Sequence, residues 1–553
     1  MGLSLSSETA PLLIGIDINE LKVERMKRNS GMIEKIFSVV FLGILCVYFL
    51  SIIYINFSGT PSFFCTDMYS DMLYAMEVWK HKTLFPPDWV FGNQLYIVAT
   101  PVLAALVYGI AGNALIAMAI STTVYGILVL TAFFWMIKPV VEEREARWFG
   151  GLLMMTIMLY FGGTAEQTNG WQLFFTMCSY YACYAVTAFW AFGCYLRAEK
   201  AHGIGFYCIL GMTCILSFGT GMQSLRQTAV MTLPLLGVTF FQIVFQVVHK
   251  KKWVTRSLGV AMLFSVCNLL GVICTRFLNI SQHMIFGEVR LAFFPNGKDS
   301  IIQCARNIFS LFERPGWREY AAFLLLMTLF LIAMIYIGRR LFKEKNNEKA
   351  SDTIKLLGLL GFAVFAIIAA ELLTTMVVRN IYYFMIYPVL GFVFAKSYAY
   401  GRRYLRTGIV LLMTFVLLLP SFGKLKESCT LAYTGRTGYE YEVSNYLREH
   451  GYTTIYSDFN QGEKIAIASG FEISAGFWDG IPFSSVPYLC DRRVYDTNGT
   501  QCVYLFMDAQ NEKIGLEKAE ERGYELIPLK SFPENGIKLY TAQVNLMDRP
   551  QFE

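Results

Sequence analysis

The chemistry in this chain is concentrated where its hydrophobicity breaks. After a first apolar run, residues 65–82 read Cys-Thr-Asp-Met-Tyr-Ser-Asp-Met-Leu-Tyr-Ala-Met-Glu-Val-Trp-Lys-His-Lys, acidic and aromatic between long apolar stretches. Asp67 and Asp71 are one helical turn apart, so a helix here places both carboxylates on one face. Carboxylates held at a membrane edge suit proton abstraction from an incoming group. The bland alternative is a solvated helix start whose charges answer the helix dipole.

A second candidate is Arg379, which separates two apolar runs with almost no loop between them. An arginine there is costly unless paired or near water, and its planar fork matches phosphate oxygens. Glu371 lies about two helical turns earlier, too far for a direct pair. Simple snorkelling to the interface is the alternative for Arg379. Tyr382 follows in the same stretch, and Arg226 stands at another span end. The short segment 162–171 carries one acidic residue, Glu166, and a longer loop carries His283, Glu288 and Arg290. Trp79, Tyr74, Trp89 and Trp171 could stack on a ring-shaped ligand, but aromatic belts are expected at any membrane interface.

These groups need elements to hold them, and composition says which kind. Of 553 residues, 55% are hydrophobic and 16% charged, against about 25% charged in soluble domains. Apolar runs of about 20 residues, enough to cross a core of about 30 Å, recur from residue 33 to 422. The expected spans are 33–56, 113–137, 148–163, 172–196, 203–220, 226–249, 253–275, 319–338, 354–377, 380–398 and 405–422. The net charge of +6 calls for no nucleic acid, because the basic residues cluster in short loops between spans. Those loops are 138–144, 197–200, 250–252, 339–345 and 402–406. If the apolar run 94–111 crossed the membrane, every one of these loops would fall outside; if it lies along the surface or dips in and returns, they all fall inside.

The expected fold is therefore a polytopic α-helical membrane protein of about 11 transmembrane helices in the plasma (inner) membrane. Residues 1–32 form a cytoplasmic N-terminal segment, with no pattern of a cleaved signal. Residues 33–422 form the membrane domain, with outer loops 57–112 and 276–318. Two interfacial helices are expected in the first loop, around 69–82 and 94–111. Residues 423–553 form an extracytoplasmic α/β domain, with helices at 439–449, 462–468 and 515–522 and strands at 453–457, 503–507 and 537–542. Its acids Asp458, Glu463, Asp479 and Asp491 show no site spacing and read as solvated surface. Most of the 13 cysteines lie in spans as small packers. Cys490 and Cys502 would bridge only if their loops met.

The arrangement resembles the GT-C glycosyltransferases, most closely the bacterial relatives of aminoarabinose transferases and protein O-mannosyltransferases. The pieces that carry the resemblance are Asp71-Met72-Leu73-Tyr74-Ala75, Phe85-Pro86-Pro87-Asp88-Trp89, Tyr96 through Pro101, the loop 276–318, and Arg379-Asn380-Ile381-Tyr382-Tyr383-Phe384 leading to Tyr387-Pro388. The family's Pro-Pro-Leu-Tyr type sequence is not reproduced, and its prolines are displaced. The resemblance implies transfer of a hexosyl or pentosyl group from a polyprenyl-phosphate-linked donor to a cell-envelope acceptor on the outer face of the membrane. That acceptor would be a glycan, a lipid or a protein. The resemblance also implies Asp71 as catalytic base with Asp67 as helper or metal ligand. Arg379, Arg226 and Tyr382 would bind the donor phosphate, and Glu166, His283 and Glu288 would contact acceptor or metal. No metal-ligand spacing is present, so a divalent cation (Mg or Mn) stays open.

Two other functions compete. A transporter or flippase of a lipid-linked glycan needs charges deep in several spans or a repeated half. Glu371 is the main candidate for such a charge, and no repeat is visible. A non-catalytic envelope scaffold would use the C-terminal domain for binding and tolerate loss of the carboxylates.

Overall fold

The computed structural model describes residues 18–92, 94–162, 170–249, 254–278, 290–295, 297–344, 347–486 and 488–549. Glu166, His283 and Glu288 lie outside the described residues.

The chain opens on a long helix, α1 (Ile18–Phe57), followed by α2 (Thr66–His81), a two-residue strand β1 (Trp89–Val90) and α3 (Thr100–Ala111). A bundle follows: α4 (Ala114–Ile137), α5 (Arg144–Phe161), α6 (Ala182–Arg197), α7 (Ile204–Gln223), α8 (Leu233–Val248) and α9 (Arg256–Phe277). After α10 (Lys298–Ser310), the bundle resumes with α11 (Trp317–Lys343), α12 (Glu348–Leu373), α13 (Ile386–Tyr400), α14 (Arg403–Met413) and α15 (Leu419–Thr434). Eight of these stretches are long and apolar enough to cross a membrane. The shorter α5, α6 and α13 bury most of their residues inside the bundle. At 1.5 Å per residue, the twelve residues of α3 reach only about 18 Å, short of a crossing.

Local sequence explains the irregular points. The expected span 172–196 becomes helical only at Ala182, because a 3₁₀ turn at Gly170–Leu173 and further turns precede it. The last helix does not stop at 422 but runs on to Thr434. Single π-helical turns at Thr228–Thr232 and Thr414–Leu418 each stand just before a proline, Pro234 and Pro420. A proline has no N–H to give the preceding turn, and the wider π turn absorbs that loss. Close helix crossings use glycine: a Cβ on Gly150 of α5 would stand 2.7 Å from the Gly391 carbonyl of α13.

Ion pairs gather the basic loops at one end of the bundle. Lys200 meets Glu348 at 2.9 Å, Lys349 meets Glu142 at 2.8 Å, and Arg406 meets Glu34 at 3.5 Å. The other end carries α2, α3, α10 and the C-terminal domain.

That domain is built from α16 (Tyr439–Glu449), β2 (Thr454–Asp458), α17 (Gly462–Ala468), β3 (Ser474–Trp478), the short β4 (Cys490–Asp491), β5 (Cys502–Phe506), α18 (Ala509–Glu521), β6 (Ile527–Phe532) and β7 (Ile537–Thr541). The five-stranded sheet runs in the order β3-β2-β5-β7-β6. β2 is parallel to β3 and β5, while β7 is antiparallel to β5 and β6. Alternation along each strand fills two faces. Tyr456, Trp478 and Tyr504 pack on one, and Ile455, Ala475, Val503 and Leu505 on the other. Cys490 and Cys502 are both buried and free; Cys490 lies in β4, which pairs with β1 away from the main sheet.

Candidate active site between the bundle and the C-terminal domain

α2 exists because its apolar residues repeat at helical spacing. Met68, Met72 and Ala75 are buried in the core, Tyr69 stacks on Phe471 of the C-terminal domain at 5.6 Å, and Lys82 closes the helix in the left-handed region (φ 54°). This packing fixes the remaining face, which carries Asp67 and Asp71.

Asp67 lines a cavity of about 650 Å³ between the bundle and the C-terminal domain. The Tyr180 hydroxyl donates to its Oδ2 at 2.8 Å. Burial pushes the Asp67 carboxyl above the ordinary carboxylate range, and the bond from Tyr180 and the charge of Arg379 pull it partly back. Asp71 sits one turn further along and is 5% exposed. It does not line the cavity. Burial, then the like charge of Asp67, hold its carboxyl well above the ordinary range, and the hydroxyl of Tyr96 offsets this in part. The sequence makes Asp71 the base and Asp67 its helper; the geometry gives Asp67 the access and places Asp71 behind it.

The opposite wall is cationic. Arg226 donates through Nη1 to Gln94 Oε1 at 2.7 Å and through Nη2 to the Tyr382 hydroxyl at 2.9 Å. Its guanidinium also lies 4.5 Å from the Tyr382 ring centroid. Its buried Nε has no partner among the described residues. Gln94 is held in place by its neighbours. The backbone N–H of Leu95 donates to the Gln223 carbonyl, and those of Ile97 and Val98 donate to the Gln223 side chain. Arg379 is exposed, lines the same cavity, and makes no ion pair among the described residues. Behind it Glu371 accepts from Asn307 Nδ2 at 2.7 Å and from the Tyr383 hydroxyl at 2.6 Å, and Asn307 also donates to the carbonyl of Val378 at 2.9 Å. The sequence argument against a direct Glu371–Arg379 pair agrees with these partners.

The third wall comes from the C-terminal domain: Phe459, Asn460, Lys464, Asp479, Tyr488 and Leu489. The domain is fastened to the stretch between α1 and α3. β1 pairs antiparallel with β4, Arg492 meets Asp88 at 2.8 Å, and Arg493 meets Glu77 at 3.0 Å.

Several expectations change here. Trp89, Tyr74 and Trp171 are neither belt residues nor ligand platforms; they are 1% exposed or less. Tyr74 packs on Trp89 at 5.3 Å, and Trp171 donates to the Met155 carbonyl at 2.9 Å. Trp79 is half-exposed under the Lys82 ammonium. Of the acids read as solvated surface, Glu463 is fully buried, Asp479 lines the cavity and Asp458 accepts from the backbone N–H groups of Phe459 and Gly480. Gln94, Tyr180 and the whole third wall have no motif; only their position after strand ends and at a span start would signal them. Among the described residues no three metal-ligating side chains gather in one place.

No protein-family model matches the chain, and no curated protein does. Solved structures do. The apo crystal structure of ArnT, an aminoarabinose transferase from Cupriavidus metallidurans, is 10% identical over 95% of this chain and 100% of that one, with a TM-score of 0.50. ArnT from the same organism bound to undecaprenyl phosphate is 11% identical over 93% and 99%, with a TM-score of 0.49. The Archaeoglobus fulgidus oligosaccharyltransferase in complex with Zn and sulfate is 12% identical over 90% of this chain and 73% of that one, with a TM-score of 0.46. The likeness to apo ArnT shows the fold: a multi-pass helical membrane domain followed by a small C-terminal domain.

Proposed function

We propose that this protein is a membrane glycosyltransferase that moves a sugar from a polyprenyl-phosphate-linked donor to a cell-envelope acceptor on the outer face of the membrane. One observation carries this reading: a single cavity sets the Asp67 carboxylate opposite Arg226 and Arg379. In such a transfer the bond between the sugar's anomeric carbon and the phosphate oxygen breaks, and a bond from the acceptor oxygen forms. Asp67 takes the acceptor's proton, and the arginines hold the charge that grows on the departing phosphate. Arg226 is braced by Gln94 and Tyr382, which fix its guanidinium at the cavity wall. The GT-C fold supports the same reaction class. The transporter alternative loses ground, because Glu371 stands in the last turn of α12, hydrogen-bonded, and not midway through a span.

The test compares envelope polymers by mass spectrometry in a deletion strain carrying wild type, Asp67→Asn or Asp71→Asn at equal protein level. Wild type restores a sugar that the deletion lacks. Asp67→Asn does not, losing a factor of about 10² to 10⁴ in rate. Asp71 is buried behind Asp67 and does not line the cavity, so Asp71→Asn keeps much more activity. Full restoration by Asp67→Asn would sink the assignment of the base.

A further inference from the structure

The third wall of the cavity has an origin that points to its use. Phe459 and Asn460 directly follow β2, and Asp479 directly follows β3. β2 and β3 are parallel, so these residues stand together at the carboxyl ends of neighbouring strands. In open α/β sheets ligands are bound outside the carboxyl ends of the strands. Here the carboxyl ends of β2 and β3 open onto the Asp67 cavity.

Its chemistry is specific. Asp479 is exposed, and neither its carboxylate nor the Lys464 ammonium makes a hydrogen bond or ion pair among the described residues, although the Lys464 charge is felt by the Glu440 carboxyl. Phe459 is 40% exposed, braced edge-on by Phe477, which in turn meets Tyr488 at a right angle. Asn460 is held by accepting from the Thr66 N–H at 3.1 Å, which ties this wall to the turn that presents Asp67. An open ring face beside an unpaired acceptor and unpaired donors is what a polyhydroxylated ring requires: its C–H face lies on the aromatic, and its hydroxyls bond the polar groups. A peptide would instead seek a free strand edge. The outer edge of β3 is already taken. Ala475 N–H donates to the Tyr69 hydroxyl, Val486 N–H donates to the Phe477 carbonyl, and Trp478 bridges to Ser485.

We infer that the C-terminal domain is the acceptor-binding half of the enzyme, and that the acceptor it holds is a carbohydrate, recognised by Phe459, Lys464 and Asp479. This rests on the glycosyl-transfer reading above. The sugar has two possible sources, a water-soluble envelope polysaccharide or the headgroup of a glycolipid. Both present the same hydroxyls to this wall.

The experiment uses the full chain in lipid nanodiscs and four probes: undecaprenyl phosphate, oligosaccharides released from the deletion strain's envelope polysaccharide, glycolipid extracted from that strain, and tryptic peptides of its envelope proteins. Dissociation constants are measured for wild type, Phe459→Ala, Asp479→Asn and Arg379→Ala. The expected result is binding of one of the two sugar probes, weakened about tenfold or more by Phe459→Ala and by Asp479→Asn, with undecaprenyl phosphate unaffected by either. Arg379→Ala shows the reverse pattern. Asp479→Asn changes an exposed side chain without changing its size, so its effect cannot be laid to misfolding. Undecaprenyl phosphate binding with no sugar binding, sugar binding indifferent to both substitutions, or binding of peptides instead would each overturn the inference while leaving the transfer reading in place. Loss of undecaprenyl phosphate binding from the wild type itself would overturn that underlying reading.

Discussion

At the scale of single residues the site depends on which carboxylate holds a proton. Asp67 acts as a base only when ionised, and burial raises its pKa. Activity therefore falls with decreasing pH at a value above the ordinary aspartate range of about 3.9. The Tyr180 hydroxyl bonds the ionised form, at 2.8 Å, and opposes that rise. Removing it in Tyr180→Phe raises the Asp67 pKa further and moves the acid limb of kcat/KM to higher pH, with the alkaline side unchanged. A limb that stays in place would remove Asp67 from the rate-determining ionisation. Glu463 gives a second pH effect, on stability. It is fully buried at the contact between α17 and α2, and burial raises its pKa from 4.5 to about 7. The folded protein thus holds this proton more tightly than the unfolded chain. Its contribution is fully present below pH 4.5, declines as pH rises to about 7, and stays lost above that. The loss amounts to about 3 kcal/mol. In Glu463→Gln no proton is exchanged, so thermal unfolding followed from pH 5 to 8 should decline in wild type and stay flatter in the variant. Parallel curves would contradict the buried carboxyl.

At the scale of elements, the presentation of Arg379 depends on α10. Glu371 at the end of α12 bonds Asn307 of α10 and Tyr383 just beyond Arg379, and Asn307 holds the Val378 carbonyl. Three elements are fixed to one buried carboxylate, which makes Glu371 a positioning residue. Glu371→Leu leaves two buried donors short of an acceptor, costing about 1–3 kcal/mol, and releases the turn that aims Arg379. The expected result is a raised KM for the polyprenyl-phosphate donor with kcat much less changed, partly rescued in Glu371→Gln, which keeps one acceptor oxygen. An equal fall in kcat with KM unchanged would argue against positioning. None of this was legible from spacing, because Asn307, Glu371 and Val378 meet only through folding. The acidic stretch on α2 was legible, since charges stand out between apolar runs. Helices at 439–449 and 462–468 were legible from their periodicity. β3 was not: Ser-Ala-Gly-Phe-Trp is too short and too poor in branched residues to read as a strand. β6 was hidden too, as an exposed edge strand with Pro528 inside it. Missing β3 is what made Asp479 look like stray surface charge.

At the scale of the whole molecule, the contacts constrain how the chain threads the membrane. The first outer loop and the C-terminal domain touch through the β1–β4 pair and the Arg492–Asp88 ion pair, so both lie on one side. An even number of crossings must separate them. The helices that cross by length and apolarity alone supply seven after α1, an odd number. One or all three of α5, α6 and α13 must cross as well. The ion pairs decide between these. Residues 142, 200 and 406, which flank these three helices, gather with Glu348 and Lys349 of α12 at the far end of the bundle, while Phe161, Tyr180 and Tyr382 stand at the cavity end. Each of the three therefore runs from one end to the other. We propose on this basis that ten of the described helices cross after the loop and eleven in all, with α3 too short to add a twelfth. In that proposal the cluster of lysines and arginines at the far end faces the cytoplasm. A phosphatase fused after Glu553 is expected to be active outside the cell, and a fluorescent protein that folds only in the cytoplasm, fused at the same point, is expected to be dark. The same pair inserted in the 250–252 loop should give the opposite readings. Matching readings at the two positions would mean an even number of crossings between them, and one of α9, α11, α12, α13 or the α14–α15 helix would then lie on the surface.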